Sequence, residues 1–133
     1  MKKTLFIIAI LTLFTKSGLA WSKRGHEIVA QIAKHYLDKS VIKKVQTYLG
    51  KMSFEEAAHW MDQIKSNHSY DYMKPWHYIN SDRDATYVKT REPNIINALE
   101  DAITNLDLNS YRSKEAINFN LKLIFHLIGD LHQ

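Results

Sequence analysis

Apolar positions along this chain recur at helical rather than strand spacing. Between Gly25 and about Leu37, the residues Ile28, Ile32, Ala33, Tyr36 and Leu37 fall on one stripe, which predicts a helix with that stripe against a core. Ser40 is placed to cap a second helix running to Leu49, with Gly50 as its stop. Ser53 followed by Glu56 has capping-box spacing and predicts a third helix to about Ile64. Residues 66–75 read as a loop and Trp76 to Ile79 as extended or irregular chain. The charged stretch 81–94, with Pro93, reads as an exposed loop or short hairpin. Ile95, Ile96, Leu99, Ile103 and Leu106 predict a helix over Asn94 to Asp107. From Ser113 to Leu131, Ile117, Leu121, Ile124 and Ile128 make one apolar face, while Phe119, Leu123, Phe125 and Leu127 cover much of the rest. That helix is therefore expected to be central and buried on several sides. The whole pattern is all-α, without internal repeats.

Residues 1–20 stand apart from this bundle. Lys2 and Lys3 precede a short apolar run from Thr4 to Phe14, and Gly18-Leu19-Ala20 places small residues where a signal peptidase cuts. The predicted division is a signal peptide over 1–20 and one domain over 21–133, with Trp21 as the first mature residue and a secreted or periplasmic destination. No second apolar segment approaches the roughly 18 residues of a spanning helix, so no membrane association is expected after cleavage. The formal charge of +4 owes much to Lys2, Lys3 and Lys16; the remainder is close to neutral, so bulk charge gives no argument for nucleic acid. The chain has no cysteine, so a small exported domain must be held by its core or by bound metal.

Several residues carry candidate chemistry. A freed amino group at Trp21 has an ordinary pKa of about 7.7 to 8.0, so its lone pair is available near neutral pH for chelation beside its own carbonyl oxygen. His26 follows five residues later. Asp62 sits in the third helix with Lys65 three places on. His77 stands between Trp76 and Tyr78. His126 and Asp130 are four apart in the last, most apolar helix and hence on one face. A charge buried there is costly unless paired or metal-bound. Taken singly, each has an ordinary reading: a solvated helix charge, a partly buried histidine, a His–Asp hydrogen bond in a core. Together they are the imidazole and carboxylate donors that zinc accepts, spread over separate elements as in a site built between helices.

The ordered set resembles the S1/P1 nuclease family. Its motifs are Trp21-Ser-Lys-Arg-Gly-His26, Trp60-Met-Asp62-Gln-Ile-Lys65, Trp76-His77-Tyr78 and His126-Leu-Ile-Gly-Asp130-Leu-His132-Gln133. The resemblance implies a helical fold of the phospholipase C/P1 nuclease type holding three zinc ions, and cleavage of single-stranded DNA or RNA, or of a nucleotide substrate, to 5′-phosphate products. It places Asp62, His77, His126 and Asp130 around the first zinc. It places the amino nitrogen and carbonyl oxygen of Trp21, with His26 and a bridging Asp130, around the third. Hydroxide held between the first two zincs would attack phosphorus, and Lys65 would act catalytically beside the scissile phosphate. The resemblance implies no protein partner.

Two departures qualify it. Where the family often has a substrate-holding aspartate, this chain has Asn80. The family's Pro-Leu-His and later His-x-x-x-Asp, which bind the second zinc, do not occur here. The reading is therefore of an N-terminal portion with the C-terminal half missing. The 133-residue product is expected to be poorly folded and nearly inactive on single-stranded DNA with added zinc. Alternatives are a zinc-dependent phospholipase C, whose first histidine lies farther from its initial tryptophan, and a degenerate non-catalytic zinc-binding protein. His132 is expected to be a surface residue or a support to the ligands, not a ligand.

Overall fold

Helix boundaries follow from the groups that satisfy free backbone donors and acceptors at each end. The computed structural model describes residues 23–80, 84, 86–107 and 113–132. Helix α1 spans Lys23–Tyr36 and α2 spans Lys39–Leu49. The residue preceding α2 is Asp38, in extended conformation and without a side-chain cap bond, so Ser40 lies within the first turn instead of capping it. Gly50 does end α2: at φ 67° it occupies a region that favours glycine, and its N–H donates to the Gln46 carbonyl. Helix α3, Phe54–Gln63, opens on the expected capping box. Glu56 N–H donates to Ser53 Oγ at 3.0 Å, and Ser53 N–H donates to Glu56 Oε2 at 2.6 Å.

The stretch read as loop is instead a 3₁₀ helix, His68–His77, entered at Asn67, whose Oδ1 accepts from the Ser69 N–H. No 3.6-residue pattern marks it. Its order comes from packing: Met73 is buried and the Tyr70 ring meets Trp60 edge-on at 5.8 Å. Tyr78 then extends the chain, and its carbonyl accepts from the Ile95 N–H. The described part of 81–94 contains no strand; Lys89 pairs with Glu100, tying it to α4, Ile95–Asp107. Asn94 caps α4 through Oδ1, which accepts from the N–H groups of Ile96 and Asn97. Helix α5, Lys114–Leu131, is capped by Ser113. The fold is all-α among the described residues, and none of its helices is long and apolar enough to cross a membrane.

Helix α5 is central, as its composition predicts. It packs on every other helix, and no residue from Ala116 to Asp130 is exposed. Two apolar clusters flank it. One joins Met61, Met73, Ile95, Ala98, Ala102, Leu123 and Leu127; the other joins Ala30, Leu49, Phe54, Ala57 and Ala58, with Leu121 and Phe125 packed against them.

One expectation reverses. Ile28, Ile32 and Tyr36 of α1 do not face the core; they are 46%, 55% and 82% exposed, and α1 instead buries His26 and Ala30. Helix α4 keeps more of its predicted stripe: Ile95 is buried with Ala98 and Ala102, Ile96 and Leu99 pack against the same cluster, and Ile103 is exposed. Alanine lets two helix backbones approach, and the larger side chains are displaced to the flanks.

Phe54 is fully buried at the start of α3, edge-on to Phe125 with ring centroids 5.0 Å apart. Phe54→Ala should destabilise the fold by about 3–5 kcal/mol in denaturant titrations, whereas Tyr36→Ala should stay within about 0.5 kcal/mol.

Candidate metal centre

Four elements bring their acids and imidazoles to one place between the two apolar clusters. Helix α1 supplies His26, α3 supplies Asp62, the 3₁₀ helix supplies His77, and α5 supplies His126 and Asp130. Asp130 is the hub. Its Oδ1 lies 3.4 Å from His26 Nε2, while its Oδ2 lies 2.8 Å from His77 Nδ1 and 3.0 Å from His126 Nε2. Asp62 closes the other side, with Oδ2 3.7 Å from His26 Nε2 and Oδ1 3.8 Å from His126 Nε2. The His26 and His126 rings stack at 4.1 Å, and His77 meets His126 edge-on at 4.9 Å.

Two donor groups emerge, His26 with Asp62 and His126, and His77 with His126 and Asp130, each with ligand atoms within 4.8 Å of one another. Donors about 2.0–2.1 Å from a tetrahedral zinc stand roughly 3.4 Å apart, and the separations here bracket that value. The donor chemistry, nitrogen and carboxylate oxygen without sulfur, also suits zinc.

The electrostatics follow from burial and contacts. Burial by itself would raise the Asp130 pKa, but hydrogen bonds with His126, His26 and His77 outweigh it and hold the carboxyl well below the usual carboxylate range. Asp62 is lowered as well: burial opposes the shift, and the Lys65 hydrogen bond and then the His126 charge overcome it. His126 is fully buried, with Nδ1 2.7 Å from the Ala58 carbonyl oxygen. A carbonyl only accepts, so Nδ1 carries a hydrogen; Nε2, which faces His77 and Asp130, donates to the carboxylate when it too carries a hydrogen and offers its lone pair when a cation takes that hydrogen's place. The facing nitrogens His126 Nε2 and His77 Nδ1, 3.1 Å apart, can share one proton or point together at a cation.

The remaining predicted residues fall in different places. Trp21 lies outside the described residues. Lys65, in the turn after α3, is half-exposed and pairs with Asp62 Oδ1 at 2.5 Å, so it orients a carboxylate of the cluster. Asn80 is exposed on an open cavity of about 530 Å³ lined also by Pro75, Tyr78, Tyr87 and Asn94; none of the five clustered residues lines it. His132 is on the surface, donating from Nδ1 to the Ile128 carbonyl. His59 is buried in α3 but meets Gln63, not the cluster.

The family model described as S1/P1 Nuclease matches residues 21–133. The chain belongs to the S1/P1 nuclease family. It is 30% identical to Nuclease S1 of Aspergillus oryzae, across the whole of this chain and 50% of that protein. It is 28% identical to Endonuclease 2 of Arabidopsis thaliana, over 97% of this chain and 50% of that protein. Endonuclease 1 of Arabidopsis thaliana is 25% identical over 98% of this chain and 48% of that protein. The chain thus spans about half the length of these relatives.

Within this S1/P1 nuclease chain, sequence reading misses the Ala58 carbonyl, because any residue carries that acceptor. It also misses the stacking of His26 on His126, since the two are a hundred residues apart.

The depressed Asp130 pKa fixes a sign. Its contribution to stability is complete above the unfolded carboxyl pKa of about 3.9 and is lost as pH falls below it. In chelator-treated protein, the denaturant midpoint should therefore drop on acidification below about pH 4. Asp130→Asn should flatten that acid limb, and an unchanged slope in the variant would contradict the assignment.

Proposed function

We propose that residues 21–133 form part of a zinc-dependent phosphodiesterase that cleaves single-stranded nucleic acid and leaves 5′-phosphate ends. The observation that carries this reading is the divided carboxylate of Asp130. One oxygen faces His26 and the other faces His77 and His126, which is how a carboxylate bridges two cations. Family membership supports the reaction class, and the names of the relatives, one nuclease and two endonucleases, point the same way. They give no support to the phospholipase alternative. The family match begins at Trp21, which is consistent with residues 1–20 serving as an export signal and with a secreted or periplasmic protein.

In this reading His77, His126 and Asp130 would hold one zinc together with Asp62, which lies 3.8 Å from His126 Nε2 and 3.7 Å from His26 Nε2 and so stands between the two donor groups. His26, Asp130 and the freed amino and carbonyl groups of Trp21 hold another; the family's complement of three is the expected total. Bound zinc supplies Lewis acidity: it offsets phosphoryl charge and lowers the pKa of water. The chain's own residues do the rest. Ala58 fixes the His126 tautomer so that Nε2 faces inward. Burial of His26 and His126 removes competing water from one side of the cluster. Lys65 holds Asp62 and places a positive charge at the cluster's exposed edge, where a substrate phosphate would approach. Asn80 lines the open cavity just past His77, and an amide there would hold a nucleotide by neutral hydrogen bonds instead of a carboxylate's charge.

Zinc titration against a chromogenic chelator, with a labelled single-stranded oligonucleotide as substrate, tests both halves. Asp130→Ala should abolish tight zinc uptake. In the whole protein, Lys65→Ala should leave zinc uptake intact and lower turnover about 100-fold. A wild-type chain that takes up no zinc would end the proposal.

A further inference from the structure

Gly129 is buried in α5, between the ligating positions His126 and Asp130. Glycine is the poorest helix former after proline, so its presence there requires a reason. Backbone conformation is not the reason. Among the described residues Gly50 alone has positive φ, so Gly129 sits where any residue is sterically allowed by its own backbone. Space is the reason. A Cβ at Gly129 would lie 2.5 Å from His26 Nδ1 and 3.0 Å from its Cε1. Real Cβ atoms are not found that close to other heavy atoms.

The His26 ring has no room to yield. It is 1% exposed, one face stacks on His126 at 4.1 Å with 18° between planes, and Nε2 points to Asp130 and Asp62. Its Nδ1 has no hydrogen-bond partner among the described residues and occupies the space that a Cβ at Gly129 would need. On the Nδ1 side of this imidazole, packing takes the place of an orienting hydrogen bond. That differs from His126, whose Nδ1 is fixed by a carbonyl.

We propose that Gly129 is a positioning residue: its missing side chain forms the cradle that aims His26 Nε2 at the carboxylates, so that the metal group containing His26 depends on it. The inference rests on the zinc-site reading above but makes a separate demand. Any side chain at 129 swings His26 out of reach, while the group built from His77, His126 and Asp130 keeps its ligands.

The test is a cycle of Gly129→Ala, His26→Ala and the double variant, each titrated with zinc and each melted in chelator. Gly129→Ala should lose the same zinc equivalents as His26→Ala, or bind them about 10–100-fold more weakly, and the double variant should lose no more. In metal-free protein Gly129→Ala should lower the melting temperature by about 4 °C or more when His26 is present. It should raise the melting temperature in the His26→Ala background, where alanine's better helix propensity is no longer opposed. Unchanged zinc uptake by Gly129→Ala, additive losses in the double variant, or a melting shift of the same sign in both backgrounds would overturn the proposal. If even the wild type takes up no zinc, the site reading fails, while opposite-signed melting shifts would still establish the cradle. The double variant also keeps the test informative should Gly129→Ala alone fail to fold.

Discussion

A nearly buried carboxylate surrounded by three imidazoles is the constraint on which this fold turns. The Asp130 side chain is 8% exposed, at the end of a run of four helical turns without an exposed residue. An ionised acid in such a place is tolerated only with partners on most of its lone pairs. His77, His126 and His26 provide them, and each comes from a different direction. The 3₁₀ helix, α1 and α5 must therefore meet at one point, whatever else the chain does. A bound cation would relieve the same requirement more fully, since it replaces shared protons with fixed positive charge.

Meeting at one point requires backbones to come close, and the sequence provides for this with small residues. Ala57 and Ala58 of α3, Ala30 of α1 and Gly129 of α5 are all buried around the cluster. Ala58 does more than make room: with only a methyl group in the way, its carbonyl reaches His126 and selects the ring nitrogen that faces the acids. The large apolar side chains are placed on either side of the seam, Met61, Leu123 and Leu127 in one cluster and Phe54, Leu121 and Phe125 by the other. They give the bundle its rigidity, which in turn holds the polar seam in register.

The cluster has a closed and an open side. His26 and His126 are sealed within the bundle, whereas Asp62 is 28% and Lys65 54% exposed in their side chains. Charge thus changes across the site, from carboxylates held anionic inside to a cation at the rim. That gradient suits an anionic ligand arriving from solvent. The neighbouring cavity, with Asn80 and Tyr78 on its wall, opens from the same 3₁₀ segment that supplies His77.

Local rules were sufficient for much of this. The capping box at Ser53 and Glu56, the glycine stop at Gly50, the helices beginning near Asn94 and Ser113, and the central place of the last helix all follow from short-range chemistry, whereas the cap expected at Ser40 does not form. So does the pairing of His126 with Asp130, four residues apart on one face. Long-range packing decided the rest. The 68–77 segment became a 3₁₀ helix because Met73 and Tyr70 found partners on other elements. Helix α1 turns its isoleucines outward with His26 directed at Asp130 and Ala30 packed in the core. Residue types alone could name histidines and aspartates as candidates, but could not separate His26 from His59, both buried in helices. The family motifs single out His26 by resemblance, and the three-dimensional arrangement supplies the physical reason, placing one ring on the acids and the other beside Gln63, because distance through space is what electrostatics and coordination obey.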